Sequence, residues 1–372
     1  MPNNPKEKYA SIHYSDYLQL DKLLDAQQPR SGEYGEEAHD EMLFIIIHQV
    51  YELWFKQINH ELKSLAALFR EDHVRERNLL VVVQRMDRVI EILKLLVQQI
   101  QVLETLTPLD FLEFRHLLFP ASGFQSFQFR EFENLLGLRE KDRFIYKPNE
   151  RYHSEFTKER QHELEAIEES HISVFESIER WLERTPFLHM EGFDFIAEYS
   201  KSVHQMLDKE YRAIENTDYL THKQKAMRLE MLGNTNTYFA NVLDPKKHQA
   251  LIEEGKMRLS YKATVAALFI QLYRDEPILQ LPYRLLNKLT DIDELVTTWR
   301  YRHAQMVLRM LGKKIGTGGS SGYEYLRGTA EKNQVFRDFH NISTLLIPRS
   351  AVPPLPDDIK QNLSFYYSTV HG

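Results

Sequence analysis

Three helical stripes in the 372-residue chain are each interrupted by one polar residue capable of chemistry. Phe44, His48, Tyr51 and Phe55 fall within an arc of roughly 60° when each residue turns a helix by about 100°. His48 is there either a core histidine whose ring nitrogen meets a backbone carbonyl, or a polar group aimed into an aromatic-walled pocket. After Pro108, Phe111, Arg115 and Leu118 share a face in the same way. An arginine cannot lose its charge, so burial on such a face demands an anion. Arg115 either snorkels, pairs with a neighbouring carboxylate, or clamps a ligand carboxylate with its planar fork. The third stripe, Trp299, His303, Met306 and Met310, sets an imidazole among bulky, soft apolar groups. Such a stripe is either ordinary core or the proximal side of a haem, a large flat apolar surface held by one coordination bond.

Two further patterns compete for attention. The segment Gly312–Gly322 holds five of the 14 glycines. It lacks the Gly-Lys-Ser/Thr ending of a phosphate loop and follows no strand, so it reads as a linker or as a lid able to close over a small polar group. Glu-x-x-His, the motif of helical di-iron oxidases, occurs at Glu36/His39, Glu113/His116, Glu150/His153, Glu159/His162 and Glu168/His171. The last three recur every nine residues, half a turn out of phase on a helix, and could not converge on one cluster. With no cysteine in the chain, thiolate metal sites, disulfides and cysteine nucleophiles are excluded, and a reducing cytoplasm is the expected compartment.

These residues must be positioned by helices. The composition is 42% hydrophobic and 27% charged, as expected of a globular chain with an ample core. A net charge of −7 argues against nucleic-acid binding, and no apolar run approaches the roughly 20 residues that a membrane span needs. Helical spacing predicts Glu41–Arg70, Val74–Leu106, Pro108–Phe119, Phe124–Leu136, Gln161–Glu183, Phe193–Ala213, Lys223–Val242, Tyr261–Tyr273 and Asp291–Leu311. Thr107 before Pro108 and the Asp-Ile-Asp-Glu at 291–294 read as helix starts. The reading is one all-α, bundle-like unit. An N-terminal arm and connector occupy 1–38, the helical domain 39–348, and a Pro-containing tail 349–372, in which Arg349–Asp358 reads as extended.

The stretch His39-Asp-Glu-Met-Leu-Phe-Ile-Ile-Ile-His48-Gln-Val-Tyr-Glu-Leu-Trp-Phe-Lys-Gln57 resembles the tryptophan 2,3-dioxygenase family. So do Pro120-Ala-Ser-Gly-Phe-Gln-Ser-Phe-Gln-Phe-Arg130, Trp299-Arg-Tyr-Arg-His303 and Gly316-Thr-Gly-Gly-Ser-Ser-Gly-Tyr323. The resemblance implies one haem b per subunit, with His303 as proximal ligand, Trp299 on its stripe, and Ser122 and Gly123 at the haem edge. It implies that His48 lies near the substrate indole N–H and Arg115 at the substrate carboxylate. Thr317 would close on the amino-acid end, and Phe44, Phe111 and Leu118 would line the indole pocket. Tyr14 and Tyr17 would enter from a neighbouring subunit of a homotetramer. The implied reaction joins O2 to L-tryptophan across the indole C2–C3 bond, giving N-formyl-L-kynurenine, the first step of kynurenine-route tryptophan breakdown. A non-haem di-iron oxygenase and a non-catalytic haem or tryptophan sensor are the alternatives.

Overall fold

The computed structural model describes residues 11–70, 76–145, 151–170, 173–186, 188–190, 192–312, 314 and 322–363. It is all-α, the strand content being a two-stranded antiparallel ladder of His189–Met190 with Phe193–Asp194. The arm carries α1 (Tyr14–Leu18), α2 (Leu20–Leu24) and α3 (Ser31–Tyr34), after which come the long α4 (Glu41–Leu68) and α5 (Glu76–Leu103). Then follow α6 (Pro108–Arg115), α7 (Phe127–Leu136), α8 (Lys158–Glu169), α9 (Val174–Leu182) and α10 (Phe195–Glu215). The chain continues through α11 (His222–Val242), α12 (Pro245–Glu253), α13 (Tyr261–Leu272), α14 (Gln280–Leu311), α15 (Gly322–Lys332), α16 (Arg337–Asn341) and α17 (Asp357–Leu363).

Around α14 the frame assembles: it packs on α5 and α15, while α4 packs on α5 and α7. Its first two-thirds bury Leu285, Leu286, Leu289, Ile292 and Val296 in the larger of two apolar cores. Its last turns bury Met306 and Met310 in a smaller core with Ile47, Ile100, Leu103, Leu106 and Phe114. Tyr51 and Trp299 pack against both.

Several elements depart from the sequence reading. α14 begins at Gln280 rather than Asp291, because Pro282 sits in the first turn, where its missing N–H costs nothing. The acidic Asp-Ile-Asp-Glu is mid-helix, and Asp293 accepts the distant Val335 N–H at 2.9 Å instead of capping. Gln161–Glu183 divides into α8 and α9, with Ser173 and Glu176 forming a capping box at the second start. α12 and α15 were not anticipated, although Asp244 caps the former with Pro245 at its first position. α6 ends at Arg115 and tightens into a 3-10 turn, His116–Leu118. The tail is extended only in part: Leu355, Ile359 and Leu363 are buried in the larger core, and Pro353 accepts the Tyr273 hydroxyl at 2.8 Å.

Candidate functional site

A cavity of about 530 Å³ opens between the two cores. α4 supplies Phe44, His48 and Tyr51, and α6 with its 3-10 extension supplies Phe111, Arg115 and Leu118. The segment before α7 supplies Ser122 and Gly123, and α14 supplies Trp299, His303, Met306 and Val307. Local chemistry explains why each element stands where it does. The Thr107 hydroxyl accepts the Asp110 N–H and Pro108 leads the helix, so α6 starts where Phe111 and Arg115 face inward together. Ser122 and Gln125 form a capping box over the 3-10 turn Gly123–Gln125, which fixes the backbone of the cavity rim. A Cβ added at Gly123 would meet nothing within 4 Å, so that backbone faces open space.

The aromatic wall is continuous. Phe44 stacks on Phe111 at 5.5 Å between centroids and lies 4.2 Å from the His48 ring, while Phe114 closes edge-on behind both phenyl rings. His48 Nδ1 donates to the Phe44 carbonyl at 2.7 Å, which leaves Nε2 as the nitrogen with a free lone pair. Its exposed surface borders the cavity. Enclosure by protein lowers its pKa against the opposing effect of that bond, so the ring is neutral at pH 7.

His303 lies 5.4 Å from Trp299, centroid to centroid. Burial, aided by repulsion from His48, pushes its pKa down to about 4, and its buried Nδ1 has no hydrogen-bond partner among the described residues. A neutral imidazole bordering an apolar cavity fits a ligand to a metal held within a flat apolar cofactor. The volume lies in the range of cofactor pockets, and the open face at Gly123 leaves room for an edge. Among the described residues no three His, Asp or Glu side chains converge as a metal site, and buried His153 approaches Glu165 at 3.5 Å.

Nine of the twelve candidate site residues therefore border one cavity: Phe44, His48, Phe111, Arg115, Leu118, Ser122, Gly123, Trp299 and His303. Tyr14 and Tyr17 are not among its lining; they are 73% and 72% exposed on an arm whose helices α1 and α2 bury nothing. The connector behind them is fastened rather than free. The Glu41 carboxylate accepts the N–H groups of Arg30 and Ser31 at 2.9 Å each, and Ser31 Oγ accepts that of Ala38 at 2.8 Å. Thr317 lies outside the described residues.

Sequence reasoning missed the polar part of the lining. Glu52, one turn beyond His48, faces the cavity with its pKa raised by burial, an effect opposed by a hydrogen bond with Ser126. Arg130, Glu133 and Arg300 also line it, joined in a buried ion cluster with Arg143. The helical spacing of Glu52 behind His48 could have flagged it; partners separated by up to 167 residues leave no local pattern.

A family model described as tryptophan 2,3-dioxygenase matches residues 2–346. A protein of that name from Bdellovibrio bacteriovorus is 50% identical over 360 residues, covering 97% of this chain and 100% of that protein. Those from Alteromonas mediterranea and Dictyostelium discoideum are each 45% identical, covering 97% and 96% of this chain and 99% and 89% of the respective relatives.

Proposed function

The chain belongs to the tryptophan 2,3-dioxygenase family, and from that premise we propose how its residues divide the work of oxidising tryptophan. It is an oxidoreductase that inserts both atoms of O2 across the indole C2–C3 bond of L-tryptophan to give N-formyl-L-kynurenine. Haem b, bound through His303 with Trp299 against it and Ser122 and Gly123 at its edge, would supply the activation of O2, which no side chain of this cavity can perform. The observation that carries this reading is the neutral, half-buried His303 imidazole bordering the same apolar cavity as His48 and Arg115.

The chain's own residues bind, orient and exclude water. Arg115 holds the substrate carboxylate in its planar fork, which fixes the amino-acid end, and Thr317, by resemblance, closes on that end. Phe44, Phe111 and Leu118 enclose the indole, and the aromatic wall keeps water from the reacting ring. His48, neutral and with Nδ1 committed to the Phe44 carbonyl, accepts the indole N–H at Nε2 and so sets the orientation of the ring. Tyr14 and Tyr17 reach a neighbouring subunit's cavity in a homotetramer; the bare apolar face of the arm supports this. No helix among the described residues is long and apolar enough to cross a membrane, and the absence of cysteine agrees with a cytoplasmic location.

The test is spectral and catalytic together. The purified protein should show a Soret band and, with ascorbate and air, convert tryptophan to N-formylkynurenine; His303→Ala should lose the band, while His48→Ala keeps it and turns over more slowly. A His303→Ala protein with full haem and normal turnover would overturn the ligand assignment. Turnover by porphyrin-free protein carrying iron would favour the di-iron alternative, and haem binding without turnover would favour a sensor.

A further inference from the structure

The cavity wall contains an excess of buried positive charge. Glu133, 2% exposed, is met by three guanidiniums: Arg300 at 2.6 Å on Oε1, and Arg143 at 2.5 Å and Arg130 at 2.9 Å on Oε2. Arg130, Arg143 and Arg300 are 5%, 8% and 3% exposed. Among the described residues Glu133 is the one carboxylate in hydrogen-bond contact with these three guanidiniums, which do not lose their protons, so the contact cluster carries more positive than negative charge. Asp293 acts on Arg300 through space only, its Oδ1 being turned to the Val335 N–H.

The three arginines are not equally committed. Arg143 also donates to Asn134 Oδ1 at 2.7 Å and to the Leu138 carbonyl at 3.3 Å, and it does not line the cavity. Arg300 donates to the Asn333 carbonyl at 2.6 Å. Arg130 lines the cavity, reaches only the Tyr325 hydroxyl at 3.4 Å beyond Glu133, and keeps a buried Nε with no partner among the described residues. We propose that Arg130, oriented by Glu133 and steadied by Tyr325, is the binding site for a carboxylate side chain of the haem. This rests on the haem reading above. It gives the cavity a polar end for the carboxylates of a flat, otherwise apolar group, and an anion there adds a second carboxylate to a cluster in which three cations share one.

The experiment compares two porphyrins on haem-free protein, by Soret titration: haemin, and haemin dimethyl ester, whose carboxylates are masked. Wild type should bind haemin at least about tenfold more tightly than the diester, the value of one charge-assisted bond. Arg130→Met should bind haemin about as weakly as the diester and leave diester affinity unchanged; Glu133 remains paired with Arg143 and Arg300, which supports folding. Should that variant not fold, Arg130→Lys, which keeps charge but not the fork, should retain only part of the preference, and Tyr325→Phe likewise. Equal affinity of wild type for both porphyrins, or an unchanged preference in the arginine variants, would overturn the carboxylate site alone. Failure of either porphyrin to give a ligated Soret band in wild type would overturn the haem reading with it.

Discussion

Replacing Glu133 by Gln should destabilise the haem-free protein by about 3–5 kcal/mol, the cost of removing one partner from a buried ion cluster. The structure sets the scale. The carboxylate takes charge-assisted bonds from three guanidiniums at 2.5–2.9 Å, each worth about 1.5–3 kcal/mol. The amide retains an acceptor oxygen and thus a fraction of those bonds, but leaves three cations with no carboxylate in hydrogen-bond contact. Against a total stability of roughly 5–15 kcal/mol, such a loss is a large fraction. Urea unfolding at pH 7 should show the midpoint fall with the slope unchanged. In the Glu133→Gln background, Arg143→Met should restore part of the loss, because it removes one uncompensated cation. The pH dependence has a definite sign. Burial pushes the Glu133 carboxyl up, but Arg143, Arg130 and Arg300 overcome this and hold it well below the usual carboxylate range. Its contribution is therefore complete above the unfolded value near 4.5 and declines as pH falls through the depressed native value, so wild type and variant should converge only in acid. A loss below about 1 kcal/mol at pH 7, or a difference that vanishes already at pH 6, would refute the reasoning.

Arg115→Lys keeps the charge and loses the fork, so KM for tryptophan should rise about 10–100-fold with the Soret band unchanged, and discrimination against decarboxylated analogues should fall. Unaltered kinetics on both substrates would return Arg115 to a structural role. Gly123→Leu should change the stability of the haem-free protein by less than about 1 kcal/mol, since its Cβ meets no protein atom within 4 Å, while haem affinity falls at least about tenfold; equal affinity would place the haem edge elsewhere. Co-expressing a subunit lacking residues 1–24 with a full-length His303→Ala subunit should restore activity, truncated subunits keeping haem and borrowing intact arms. Mixed oligomers that form and stay inactive would rule out the shared site.

Much of the site was legible because it lies on helices. His48, Arg115 and His303 each break an apolar stripe, and helical periodicity alone places each with the neighbours it has in the cavity. The all-α class followed from the same periodicity. Boundaries were less legible where one signal has two uses. The acids at 291–294 look like a cap but lie inside α14, since Asp293 serves Val335, and the prolines after Arg349 obscured the four-residue spacing of Leu355, Ile359 and Leu363. The ion cluster was illegible in principle: Arg130 and Glu133 stand three residues apart, a spacing common to any helix, and only the fold brings Arg300 of α14 against them. The fastening of the connector by Glu41 is equally a tertiary fact, with no local pattern in residues 25–38 to reveal it.

The division of α14 between two cores gives one helix two different stabilities. Its amides near Leu285–Val296 belong to the large core and can exchange with solvent only when the whole fold opens. Those from His303 to Leu311 are backed by a core of few residues and by the cavity itself, so fraying from that end requires no global event. Filling the cavity should therefore slow hydrogen exchange in the last turns by orders of magnitude and leave the first turns untouched. The bound group then acts as the missing piece of the smaller core, and one end of a continuous helix reports whether it is present.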